Sequence, residues 1–199
     1  WSNNLFPAVD EAAELGARFV DVGFLLYTDE SKDNYRYYDQ FFDHFAGVLF
    51  TAPSDGYGFA YPAASKFVTA VGTTALFVNG DGSYKSEAVG FFDGSHCDRF
   101  EAKPAWQIDT GCKKKMNSDV SMVGDLGTGL AIYCSTPVQC EDGGAWYLAG
   151  TPPTAMIAAV FALANHTQDQ MSALPYEHYS PDNFHDVTKG NDKKHCKVD

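Results

Sequence analysis

Three short apolar runs constrain this chain more than any other feature. They span residues 18–27, 46–51 and 67–71, are rich in Val, Phe and Leu, and are too continuous to alternate. A strand with one wet face would alternate apolar and polar side chains. An unbroken run suits a strand buried on both faces, as in a parallel sheet covered by helices. The stretches around the runs fit that arrangement. Residues 5–16 read as an amphipathic helix, with Leu5, Val9, Ala12, Ala13 and Leu15 on one stripe and Gly16 placed to end it. Residues 33–44 read as a second, aromatic-rich helix after a polar turn. Strand, helix and strand in this order predict an α/β fold with right-handed crossovers.

Downstream, residues 79–121 hold more Gly, Asp, Lys and Ser and read as loops and short strands. Residues 129–133 and 145–149 read as a hairpin, and 154–165 as a strong helix. The tail from Pro175 is polar and shows no periodicity. With neither internal repeat nor linker, residues 1–199 are expected to form one domain, a length that supports a sizeable core.

Charge and cysteine usage narrow the classes of partner. The net charge of -12 disfavours nucleic acid and anionic membranes, since both need positive charge on the protein. No apolar run approaches the length of a membrane-spanning helix, so membrane insertion is not expected. None of the five cysteines sits in a C-x-x-C pair, which argues against a zinc or redox motif. The pairs Cys97–Cys112 and Cys134–Cys140 would close short loops and imply an oxidising compartment, leaving Cys196 over. The sequon at Asn165 is compatible with a secreted glycoprotein. Residue 1 is Trp and no signal pattern follows, so the chain is expected to begin inside a precursor or to be processed.

Several blocks of sequence then fall in one order. YPAASKFVTAVGTTAL (61–76) is similar to the YPAASPYVTAVGGTSL segment of sedolisins, the serine-carboxyl peptidases. EAKPAWQIDTGC (101–112) resembles that family's EPKPxWQxDTGC, and DVS (119–121) with TGLAIY (128–133) resembles its DVSxxADPxTGVAVY. Residues 5–16 resemble the family's NLxxAVNxAxxLGA helix, 157–165 the helix after its nucleophile, and DVTKGN (186–191) its DVTSGSN. The resemblance covers roughly residues 3–197. It implies a subtilisin-like α/β fold: a three-layer sandwich with a mainly parallel sheet between helices, here without the N-terminal part of the family domain.

The resemblance also implies where peptidase chemistry would sit. Family members use a serine nucleophile, a glutamate base, an aspartate that orients the base and a second aspartate at the oxyanion hole. A carboxylate base suits acidic media, where histidine is protonated. The nucleophile belongs to G-T-S-x-S-x-P at a helix start, where backbone amides stabilise negative charge. This chain has Gly150-Thr151-Pro152-Pro153-Thr154, which places Pro152 at the serine. Proline has no nucleophile and no N–H, yet it suits the first turn of a helix. Losing the nucleophile alone costs on the order of six decades in turnover. Thr151 and Thr154 are the only hydroxyls at hand. At the oxyanion aspartate, ungapped matching puts Ser54, with Asp55 one residue late in an Asp-Gly turn. The acid pair would lie on a helix upstream of residues 5–16; Glu11 and Glu14 do not match it and read as a solvated face.

The remaining candidates are weaker. Asp186 and Val187 match the first half of the family's calcium site, so calcium is a conditional cofactor that would need further carboxylates such as Asp182 or Asp192. The histidines show no metal-ligand spacing. Lys113-Lys114-Lys115 reads as a solvated basic loop. The aromatics Tyr35, Tyr37, Tyr38, Phe41 and Phe42 read as core packing, with a sugar- or protein-binding patch as the alternative. Together these readings predict a secreted, sedolisin-like pseudopeptidase that binds an unknown protein or carbohydrate partner or serves a structural role. The alternatives are a peptidase completed by an upstream fragment of the same precursor, and a lectin-like protein on the same scaffold.

Overall fold

The structure, a computed structural model, describes residues 2–27, 32–54, 60–90, 95–109, 111–136, 144–149, 154–164 and 171–190. Its first helix, α1 (Ser2–Glu14), buries Phe6, Val9 and Ala13, which recur at helical spacing. Gly16 ends the helix at φ 96°, a conformation glycine adopts without strain. Its amide bonds the Ala13 carbonyl and that of Ala17 bonds Ala12, both at 3.0 Å, closing the end of the helix. Leu15, expected on the buried stripe, is exposed because the helix has already ended.

The first apolar run breaks in two. Strand β1 (Phe19–Asp21) joins the central sheet, whereas β2 (Leu26–Tyr27) leaves it and pairs with β4 (Ala60–Tyr61). A tight turn at Gly23, closed by the Phe24 amide on the Val22 carbonyl at 2.8 Å, redirects the chain. Helix α2 (Lys32–Asp39) is shorter than its pattern predicts and continues to residue 44 as turns. Strands β3 (Leu49–Pro53) and β5 (Thr69–Val78) follow.

β1, β3, β5 and β7 (Val120–Val123) lie side by side and parallel. β6 (Tyr84–Val89) pairs antiparallel with the outer half of β5. Successive residues of β1 and β3 enter opposite cores, as a pleated strand requires. Val20 and Phe50 pack with Phe6, Phe42 and Tyr61; Phe19 and Leu49 pack with Phe161, Met171 and Leu174. The result is a mainly parallel sheet between helices, the subtilisin-like α/β arrangement.

The hairpin forms as β8 (Leu130–Cys134) and β9 (Ala145–Ala149). Helix α3 (Thr154–Ala164) packs on β1 and β3. A 3-10 turn (Met171–Ala173) leads into the short helix α4 (Leu174–Glu177), which extends into the tail from Pro175 that the sequence reads as polar and without periodicity. Proline is tolerated there because it stands in the first turn of α4.

Candidate functional site

In open parallel sheets, ligands and reactive groups gather at the carboxyl ends of the strands. Here that edge carries Asp21 at the end of β1 and Ser54 just after β3. Asp21 accepts a hydrogen bond from the Thr51 hydroxyl at 3.2 Å. Ser54 is 1% exposed, and both its amide (2.9 Å) and its hydroxyl (3.2 Å) donate to the Val71 carbonyl. Its side chain is thus committed to the neighbouring strand. Asp55, the other residue of that segment, lies outside the described residues, as do Thr151 and Pro152. α3 starts at Thr154, which is buried. Glu11 and Glu14 are both exposed on α1.

The other sequence candidates scatter. Cys97 and Cys112 form a disulfide, with Cα atoms 5.3 Å apart. Cys134 is also disulfide-bonded, to a partner outside the described residues; Cys140, Asn165, Asp192 and Cys196 lie outside them too. Asp182 and Asp186 are exposed, and Val187 is half-buried beside a tail whose Lys189 carbonyl accepts the Val89 amide at 2.9 Å. Among the described residues no group of His, Cys, Asp and Glu is arranged to hold a metal ion. His44 reaches Asp10 at 2.9 Å, and the His185 ring stacks on Tyr84.

The aromatic stretch belongs to the interior. Tyr35 and Phe42 are buried, Tyr38 and Phe41 pack against the same core, and only Tyr37 is half-exposed. Phe6 sits at the centre, with the rings of Tyr38 and Tyr61 at 4.9 and 5.5 Å.

Two buried polar networks were not foreseen. In the first, the carboxylate of Asp39 accepts hydrogen bonds from the Tyr61 hydroxyl (2.7 Å) and the Ser65 hydroxyl (2.6 Å). Glu101 lies close enough to interact and reaches the Lys66 ammonium at 3.2 Å. Burial raises the pKa of Asp39 above the ordinary aspartate value, against the pull of the Ser65 and Tyr61 bonds. Burial likewise raises Glu101, and the neighbouring Asp39 adds to the shift. Asp98 anchors the rim by accepting from the Tyr35 hydroxyl at 2.7 Å and from two backbone amides.

The second network corrects the reading of the basic run. Lys113 is exposed, but Lys115 is 1% exposed. Its ammonium donates to the Ala63 carbonyl at 3.0 Å and pairs with Asp119 at 3.3 Å. Asp119 accepts in turn from the Ala70 amide (2.8 Å), Gln107 (2.9 Å) and the Tyr176 hydroxyl (2.7 Å). Burial raises the Tyr176 pKa, so the phenol stays a donor. A buried lysine needs partners: its ammonium is met by the Ala63 and Met116 carbonyls and by Asp119, and the whole network draws on four stretches, around residues 63–70, 107, 115–119 and 176. The four-residue spacing of Lys115 and Asp119 was the available signal; nothing local separated Lys115 from its two neighbours.

The chain has a subtilisin-like α/β fold. Among solved structures it is similar to Pseudomonas sedolisin, a serine-carboxyl proteinase determined with two molecules of pseudo-iodotyrostatin, at TM-score 0.78 and 22% identity. That match covers 96% of this chain and 61% of the sedolisin chain. It is also similar to a psychrophilic protease designated S41, at TM-score 0.54 and 16% identity over 96% of this chain and 58% of the other. The chain therefore spans about three-fifths of the length of these proteins. No family model and no curated protein matches it.

Proposed function

We propose that this chain is a secreted, sedolisin-like pseudopeptidase that acts by binding or as a structural component rather than by cleavage. The observation that carries the proposal is the start of α3. The helix begins at Thr154, and neither the residues leading into it nor its first turn include a serine or cysteine. A helix start is where amides and dipole would stabilise an oxyanion, so this is where a nucleophile would be needed. At the other strand end, the Ser54 hydroxyl is buried against the Val71 carbonyl and offers no acid. The structural likeness to two proteases supports the scaffold, and the Cys97–Cys112 disulfide supports an oxidising compartment. The lectin-like alternative loses its motivating feature, because the aromatic helix is spent in the core.

The test is an assay of the pure protein on an unfolded protein substrate, at about pH 4 and about pH 7, with and without calcium. No cleavage above the blank is expected, and Pro152→Ser restores none. Specific cleavage that survives repurification and disappears in Thr154→Ala overturns the proposal in favour of an active peptidase.

A further inference from the structure

Three carboxylates, Asp39, Asp98 and Glu101, are buried as neighbours. They join segments far apart in the chain. Asp39 is the last residue of α2, and its hydroxyl donors Tyr61 and Ser65 come from β4 and the turn after it. Asp98 and Glu101 belong to the loop bridged by Cys97–Cys112. Tyr35 lies one helical turn before Asp39 on α2 and donates to Asp98, which fastens the helix to that loop as well. The three acids are not equally provided for. Asp98 accepts from the Tyr35 hydroxyl and from the amides of Phe100 and Glu101. Asp39 accepts from two hydroxyls. The buried Oε1 of Glu101 reaches the ammonium of the partly exposed Lys66 at 3.2 Å and accepts no other bond among the described residues. Lys66 also acts on Asp39, so one cation serves both acids. The other charges acting on them are negative: Asp98 on Glu101, and Asp43, from the turns that continue α2, on Asp39. Arg99, next to Asp98, is exposed. One ammonium does not balance two buried carboxylates, and a buried acid without a partner takes up a proton instead.

We propose that Asp39 and Glu101 hold one proton between them and form an acid-closed clasp on α2. With the proton bound, the helix is fastened to residues 61–66 and 98–101; as pH rises the proton passes to solvent, the two carboxylates repel, and α2 is released. Burial raises the pKa of both groups, which gives the direction. The clasp is closed below the ordinary carboxylate range and opens as pH climbs through the raised native value. Because the two sites interact, the proton belongs to the pair rather than to either residue. The clasp also bears on the carboxyl edge of the sheet. Tyr61 lies in β4, and the β2–β4 ribbon is built by the segments that leave β1 and β3 at their carboxyl ends. The inference is independent of whether the chain cleaves peptides.

The experiment is amide hydrogen exchange of the full 199-residue chain by mass spectrometry, from about pH 4 to about pH 8, with rates corrected for the intrinsic effect of pH on exchange. Protection of α2 in the wild type is expected to fall at least about tenfold across that range. Glu101→Gln keeps the shape of the protonated acid and cannot ionise. It is expected to flatten the profile and to leave α2 at least about tenfold better protected than in the wild type at about pH 8. Lys66→Met removes the cation that favours the second ionisation and is expected to move the midpoint to higher pH. A structural ion pair without proton storage predicts otherwise: both variants lose protection at every pH and the midpoint stays where it was. That result overturns the proposal. So does a wild-type α2 whose protection is the same throughout the range, or a pH profile that persists in Glu101→Gln. If Glu101→Gln does not fold, the direction of the midpoint shift in Lys66→Met decides.

Discussion

Between residues 35 and 119, charged side chains lie in the interior: Asp39, Asp98, Glu101 and Lys115 are all buried. Between 130 and 164, apolar side chains lie outside: Tyr133, Trp146, Val160 and Leu163 are all more than half exposed. The two regions invert the usual rule in opposite directions. The difference lies in whether partners are supplied. Each of these buried charges reaches a hydrogen-bond or ion-pair partner from another segment, so none of the four is left uncompensated. The exposed apolar groups of α3 find no such cover among the described residues.

The sharpest way to break this comparison is to remove the partner of one buried charge. Asp119→Ala leaves the Lys115 ammonium buried without its carboxylate and is expected to cost about 3–5 kcal/mol in urea unfolding. Replacing both members with apolar residues of similar size is expected to recover most of that loss. Removing the Cys97–Cys112 disulfide, which closes a 15-residue separation, is expected to cost about 3 kcal/mol by the same measurement on the double variant Cys97→Ala, Cys112→Ala in oxidising buffer.

A smaller effect should follow pH. The native state holds protons on Asp39 and Glu101 at higher pH than the unfolded chain does, because burial raises both. The stabilising contribution of these groups is therefore fully present below the ordinary carboxylate pKa and is lost as pH rises through the raised native value. Urea midpoints of the wild type are expected to gain more than those of Asp39→Asn as pH falls from neutrality toward that range. Equal slopes would show that Asp39 is not the group responsible. The smallest effect belongs to the exposed region: Leu163→Glu is expected to change the stability of the monomer by less than about 0.5 kcal/mol, measured where no association occurs. A large loss there would mean that α3 is covered within the chain after all.

Much of the architecture was legible in particular residues. The runs at 46–51 and 67–71 became β3 and β5, and Gly16 did end the first helix, because strand and helix periods are local properties of a sequence. The run at 18–27 was misread as one strand because the turn at Gly23 depends on where β2 finds its partner β4, far along the chain. At the candidate site, the missing serine before α3 could be read from residue types alone. Ser54 could be named but not interpreted, since its commitment to the Val71 carbonyl exists only across two paired strands.

What the sequence determined by itself was the order and period of its elements, and hence a parallel α/β sheet, together with the chemistry unavailable at the start of α3. Tertiary structure alone decided which like residues became unlike. Lys113 and Lys115 are identical in type and nearly so in sequence surroundings, yet one is solvated and the other is locked to Asp119 and Ala63. The same holds for α3, whose uniform apolar sequence is divided by its packing on β1 and β3 into a buried stripe and an open one. Burial and partnership are relations between distant segments, and no local pattern of residues contains them.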